Sequence, residues 1–353
     1  MNLGSHRKFQ TDVVIAGSGP GGATVAKELS RKGKKVIVCE SGKNHKWFGS
    51  SLSTVNLLNK KGVTFSREGN WIVSGKSLGG GSIVYGAVAF KPPAWLKEKY
   101  GIDLEEEARE FYSEVPIKPL PDSHIGPAAR KIMESARRIG LDWKPADRLI
   151  RAERCPPFCD RCMTGCKTGA KWTAREFIED SLVHGAKLHL KTEVEHVLKE
   201  NGSAVGVRAW NADGRIDIMA DTVILSAGGF GTPKILKRSG IEDVGRGFVV
   251  DFGRFVTGIS PDRLSRGEIP GSTIVDLPSE GIFLTNAHPK PLMHAGLLCL
   301  TGYQGWVRLP SILQTKRTLG VLVGSKDSLG GRINVDGSFS KPIDEDCWSR
   351  LDR

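Results

Sequence analysis

Two sets of residues in this chain have the types and spacing to do chemistry. The first is Gly17-Ser18-Gly19-Pro20-Gly21-Gly22 together with Glu40. Glycines spaced G-x-G-x-x-G suit a pyrophosphate: Gly17 lets the chain turn sharply, Gly19 lets the backbone approach the phosphates, and Gly22 lets a helix pack closely on a strand. The helix that opens at Pro20 offers free N–H groups and a partial positive charge. Glu40, roughly 20 residues on, is placed to accept hydrogen bonds from an adenosine ribose. It would repel a 2′-phosphate, and Ser41-Gly42 rather than an arginine follows it, which disfavours NADP. The pattern predicts a bound ADP moiety, from FAD or NAD.

The second set is Cys155, Cys159, Cys162 and Cys166, spaced C-x3-C-x2-C-x3-C and followed by Lys167 and Gly169. Dense thiols in a reducing compartment more often bind a metal or do redox chemistry than form disulfides. Four thiolates so close in sequence can wrap an iron–sulfur cluster, and the last two spacings, x2 then x3, match part of the bacterial ferredoxin run. Tetrahedral zinc on four thiolates is one alternative. A loop of unmetallated or disulfide-forming thiols is the other. Cys39, Cys299 and Cys347 are isolated and read as packed rather than reactive.

These residues need elements to hold them. Residues 12–16 read as a buried parallel strand, residues 20–32 as a helix with Ala23, Val25, Ala26 and Leu29 inward, and Val36–Cys39 as a second strand ending at Glu40. Later, Lys187–Leu190 reads as a parallel strand. Three runs at hairpin spacing follow (193–199, 204–210 and 215–220) with turns at Asn201-Gly202 and Asp213-Gly214. Thr222–Leu225 is another buried strand, leading into Ala227-Gly228-Gly229. The expected fold class is α/β: an FAD/NAD(P)-binding Rossmann-like fold with a three-stranded β-meander, plus a second α+β substrate domain. Residues 1–90 and 171–245 form the discontinuous dinucleotide domain in this reading. Residues 91–170 are a helical, cysteine-rich insertion with helices over 103–112 and 126–139, and residues 246–353 are the substrate domain.

The composition sets outer bounds. At 353 residues, 39% hydrophobic and 25% charged, the chain can build two ordinary globular domains. The first ten residues hold His6, Arg7 and Lys8 but no apolar core of a leader, and no stretch approaches 18 consecutive apolar residues. The expectation is a cytoplasmic protein without a transmembrane segment. The net charge of +12 is spread along the chain with no nucleic-acid motif beside it. It reads as solvated lysine and arginine, so no nucleic-acid partner is expected.

The glycine run, Glu40, Gly79-Gly80-Gly81-Ser82 and the segment Ser226–Ile241 (Ser-Ala-Gly-Gly-Phe-Gly-Thr-Pro-Lys-Ile-Leu-Lys-Arg-Ser-Gly-Ile) together resemble the glucose-methanol-choline (GMC) flavoprotein oxidoreductases over nearly the whole chain. Gly331-Arg332-Ile333 with Lys341-Pro342 is similar to the family's last sheet strand and following helix. The resemblance implies FAD rather than NAD, and oxidation of an alcohol to an aldehyde or ketone by hydride transfer to flavin N5. It implies that Gly79, Gly80, Gly81 and Ser82 approach the diphosphate or the isoalloxazine ring, that Val194 offers backbone hydrogen bonds to adenine, and that Ala227 and Gly228 lie beside the dinucleotide. Tyr85 stands where many members have asparagine, and Gly229 and Glu242 depart from the second signature.

In this family the base that takes the hydroxyl proton is a histidine from a C-terminal segment. Residues 342–353 start a helix, with Pro342 and three acids ahead of Trp348 and Leu351, and the chain then stops. The expectation is a truncated or split polypeptide, with a second polypeptide as the source of that segment. His288 and His294 are the internal candidates, while His184, His189 and His196 are weaker. An iron–sulfur cluster would mean that electrons leave the flavin singly and that the enzyme is a dehydrogenase rather than an oxidase. The alternatives are a flavin-binding electron-transfer subunit that depends on a partner, and another reductase of the same superfamily.

Overall fold

A computed structural model of the protein describes residues 6–45, 63–264, 267–288, 314 and 316–352. The chain divides into two units. The first comprises Met1–Tyr85, Thr173–Val250 and Ser328–Asp344, and the second comprises Gly86–Trp172, Asp251–Asp327 and Glu345–Arg353. These divisions differ from the sequence boundaries because strand pairing crosses them. Gly331–Ile333 pairs with Arg246–Phe248, which returns 328–344 to the first unit. Lys144–Pro145 pairs with Thr273–Leu277, which joins the cysteine-rich segment to the later strands.

The first unit is built on strand β1 (Arg7–Ala16), helix α1 (Pro20–Arg31) and strand β2 (Val36–Glu40). Its sheet runs Lys187–Leu190, β2, β1, Gly214–Leu225, Ser203–Asn211, Glu193–Glu200. The first four strands are parallel and the meander closes the other edge antiparallel. This is the α/β Rossmann-like sheet with a meander that the sequence predicts. One detail differs: the third meander run and the strand after it are a single strand. Residues 216–225 pair in parallel with β1 along its whole length, and no glycine or proline after Gly214 interrupts them.

Val14, Ala16, Ile37, Cys39, Val207 and Ile218 share one buried cluster at the centre of this sheet. Helix α1 buries Ala23 and Ala26 as predicted, but its inner stripe continues through Lys27 and Ser30, while Val25 and Leu29 are half-buried. The reason is the helix Arg175–Val183, which packs on α1. Lys27 lays its ammonium 4.2 Å from the Phe177 ring centroid, and Arg31 forms a bidentate pair with Asp180.

The second unit holds a five-stranded antiparallel sheet in the order Phe252–Ile259, Thr318–Ser325, Ile282–Asn286, Thr273–Leu277, Lys144–Pro145. The helix Pro127–Arg138 covers it through Met133 and Ala136, which pack with Trp143 and Val275. The Glu268 carboxylate caps that helix, accepting the Ala128 and Ala129 N–H groups at 2.9 and 3.4 Å. The helix Glu345–Asp352 buries Cys347 and Leu351, and its Arg350 donates to Ser325 Oγ and the Lys326 carbonyl. Among the described residues no helix is long and apolar enough to cross a membrane.

Candidate functional site

The carboxyl end of β1 and the N-terminus of α1 make the first site. Gly17 adopts φ 103°, and a Cβ there would meet the Ser226 carbonyl oxygen at 2.4 Å. Only glycine fits that turn. Gly22 lies against Gly17 and tolerates no Cβ either, whereas a Cβ on Gly19 would point into open space. Gly19 precedes Pro20 at the start of α1, and the first turn carries neither an acidic residue nor a side-chain cap. Its N–H groups therefore face the opening, the arrangement that favours an anion.

Glu40 is buried at the end of β2, and both its oxygens are engaged. Oε2 accepts the Ser18 N–H at 3.1 Å and the Ser18 hydroxyl at 2.6 Å, and Oε1 accepts the Gly42 N–H at 2.5 Å. Ser18 Oγ in turn accepts the Gly79 N–H at 3.1 Å. Oε1 also accepts the Ser41 hydroxyl at 3.5 Å, so Glu40 holds the turn with all of its roughly four acceptor directions, and a ligand hydroxyl at the cavity would exchange with that long Ser41 contact. Its neighbour Cys39 is buried, and burial, with the Glu40 charge, pushes that thiol up to about 12. It is inert at neutral pH, as its packed reading requires.

Gly17, Ser18, Gly19, Pro20, Glu40, Ser41, Gly80, Gly81, Val194, Ala227 and Gly228 line one cavity of about 840 Å³, which falls in the range of cofactor sites. Gly22, Gly79 and Ser82 stand behind it. Ser82 is spent on structure, its hydroxyl donating to the Gly79 carbonyl and accepting the Ala174 N–H that opens the helix Arg175–Val183. Gly80 makes a second contact between the two glycine runs, beside the Gly79–Ser18 hydrogen bond. It has φ 56°, and a Cβ on it would lie 2.8 Å from Gly19 Cα.

Several lining residues carry no signal in the glycine pattern. Lys76 and Glu193 form an ion pair at 3.1 Å, and both line the cavity. Lys234 and Arg238 reach it from the helix Gly228–Arg238, one turn apart. Their i, i+4 spacing across the segment Thr232–Arg238 is the clue that could have found them. Thr232 fixes the start of that helix by accepting the Ala227 N–H at 3.1 Å.

The four cysteines meet around a separate cavity of about 310 Å³ in the second unit. All are thiols, Cys155 and Cys162 buried, Cys159 and Cys166 half-buried. Burial pushes Cys155 up to about 12. Burial raises Cys166 as well, but hydrogen bonds from Thr168 and the Lys171 N–H outweigh it and hold this thiol below the ordinary value. Among the described residues no three of the sulfurs lie mutually within 4.8 Å. Tetrahedral zinc with Zn–S of about 2.3 Å would need edges of roughly 3.8 Å.

The histidines are placed without converging. His184 pairs with Asp180, His196 with Glu195, and His189 packs edge-on against Phe9. His288 is half-buried just beyond the strand Ile282–Asn286, and His294 and Cys299 lie outside the described residues. Among the described residues, none lining the large cavity is a histidine.

Residues 49–252 match the family described as GMC oxidoreductase. An uncharacterized GMC-type oxidoreductase of Mycobacterium tuberculosis is 25% identical over 321 residues, covering 83% of this chain and 50% of that protein. A long-chain-alcohol oxidase of Arabidopsis thaliana is 26% identical over 349 residues, covering 86% and 45%. The chain thus spans about half the length of these curated relatives. The crystal structure of pyridoxine 4-oxidase from Mesorbium loti aligns over 97% of this chain and 79% of its own at a TM-score of 0.67 and 16% identity, a likeness of fold.

Proposed function

The chain belongs to the GMC oxidoreductase family, and from that premise we propose that the cavity of its first unit binds FAD and that the protein serves to oxidise a CH–OH group to a carbonyl. The observation that carries this reading is the cradle at Gly19: an open backbone, an uncapped helix N-terminus and the buried Glu40 face one cavity of about 840 Å³. FAD, when bound, supplies the hydride acceptor for the alcohol carbon. The residues of this chain bind and orient it. The α1 N-terminus and the Gly80-Gly81 backbone suit the diphosphate, Glu40 the ribose, and the Val194 backbone the adenine. Lys234 and Arg238 add positive charge on the wall that such a dianion would share. In this reading the first unit is the FAD-binding part, and the second unit contributes the substrate side.

The family's named alcohol oxidases support an alcohol as substrate class. The four-cysteine loop supports a second reading, a flavin-binding subunit that hands electrons on and depends on a partner for substrate chemistry. Purification of the full chain followed by release and quantification of the bound chromophore tests the leading reading. About one FAD per chain is expected, with substrate-dependent bleaching when alcohols are supplied. A colourless chain that takes up no FAD on reconstitution would overturn it. FAD that is retained but bleached only by a partner protein's electrons would favour the subunit reading.

A further inference from the structure

The cysteine loop of the second unit is built as a site rather than left as a surface excursion. Two cations are buried in its wall: Arg148 is fully buried and Lys171 is 3% exposed. Arg148 is held by the Ala87 carbonyl at 3.1 Å and the Gly86 carbonyl at 2.6 Å, and its Nη2 lies 3.8 Å from Cys162 Sγ. Lys171 Nζ donates to the Cys162 carbonyl at 2.7 Å, while its backbone N–H points at Cys166 Sγ at 3.4 Å. His124 fixes the other end of the loop through the Cys155 carbonyl at 2.8 Å. Phe158, beside Cys159, is held at φ 60°, a conformation that a bulky residue adopts only where the surroundings enforce it.

Arg148 and Lys171 put positive charge at the wall that the four sulfurs line, and four thiolates around a metal core would place charge of the opposite sign there. The core is then chosen by geometry. No three of the sulfurs lie within 4.8 Å of one another, as one tetrahedral ion would need, and the four help to line about 310 Å³. A core of several irons and sulfides fills such a gap, and backbone N–H groups directed at cysteine sulfur tune its potential. We propose that Cys155, Cys159, Cys162 and Cys166 ligate an iron–sulfur cluster, with Arg148 and Lys171 as its buried counter-charges.

The inference is independent of the flavin reading: a chain that retains iron and sulfide but no FAD would uphold it while overturning that reading. The test is anaerobic purification of the full chain, reconstitution with ferrous iron and sulfide, and measurement of iron, acid-labile sulfide and zinc. Iron and sulfide in equal amounts, with a broad visible absorbance bleached by dithionite and an electron paramagnetic signal on reduction, are expected. Zinc in place of iron, or neither metal retained, would overturn the proposal. Cys162→Ser should abolish the iron signal while Cys347→Ser keeps it. Lys171→Met should weaken iron retention roughly 10- to 100-fold and make the retained cluster harder to reduce. An unchanged potential and iron content in Lys171→Met would remove its counter-charge role, and the wild-type metal content decides the cluster even if a variant fails to fold.

Discussion

The Ser18 hydroxyl donates to Glu40 Oε2 at 2.6 Å and accepts the Gly79 N–H at 3.1 Å. One buried side chain thus ties the glycine turn after β1 to the end of β2 and to the second glycine run, three segments far apart in sequence. Ser18→Ala removes the acceptor for Gly79 and one donor to a buried carboxylate, so it should destabilise the fold by about 1–3 kcal/mol and lower FAD retention. Thermal unfolding with and without added FAD measures both. Glu40→Arg should lose FAD more completely, because it reverses the charge at the ribose position. Unchanged FAD content in Glu40→Arg would mean that Glu40 serves the turn alone.

Gly80→Ala should fail for a different reason. At φ 56° and with Gly19 Cα 2.8 Å from the new methyl, neither backbone can yield without moving the other. A loss on the order of 1–3 kcal/mol is expected, along with reduced FAD content. Gly81→Ala, whose methyl meets nothing within 4 Å, should keep its stability and serve as the comparison in the same melting experiment.

Lys234 and Arg238 reach the cavity from one helix. Replacing Lys234 by Glu should raise the dissociation constant of FAD about tenfold and flatten its dependence on ionic strength, since screened attraction becomes repulsion. Titration of the apoprotein with FAD at low and high salt checks this, and an unchanged salt slope would place Lys234 outside the binding field.

Acid should weaken the first unit through Asp217. Its carboxyl is lowered from 3.8 to about 2 by the Arg208 hydrogen bonds, against the effect of burial and with help from His6. A depressed carboxylate contributes its stability fully above the unfolded value and loses it as pH falls through the folded one. About 2 kcal/mol should therefore disappear between roughly pH 4 and pH 2. Asp217→Asn should be less stable at neutral pH and show a flatter acid limb in denaturant titrations across that window.

Much of this was legible in the sequence. β1, α1, β2 and the meander each carry a strong local pattern, and the glycine spacing already demanded a turn that only glycine makes. What the pattern misassigned were matters of partner. The meander's last strand runs unbroken to Leu225 because β1 pairs along all of it. Lys27 is buried with its ammonium over the Phe177 ring and paired with Glu28 at 2.9 Å. Ser82, grouped with the cavity glycines by its neighbours, spends its hydroxyl on Gly79 and Ala174.

The sequence by itself determined the dinucleotide turn, the acidic residue that answers it and the clustering of four thiols, because each depends on spacing within one short segment. Only the tertiary structure decided that Gly80 abuts Gly19, that Lys234 and Arg238 share their cavity, and that Arg148 and Lys171 stand buried at the cysteine wall. Those relationships join segments tens to hundreds of residues apart. Backbone contact, charge and burial act through space, and local spacing does not encode them.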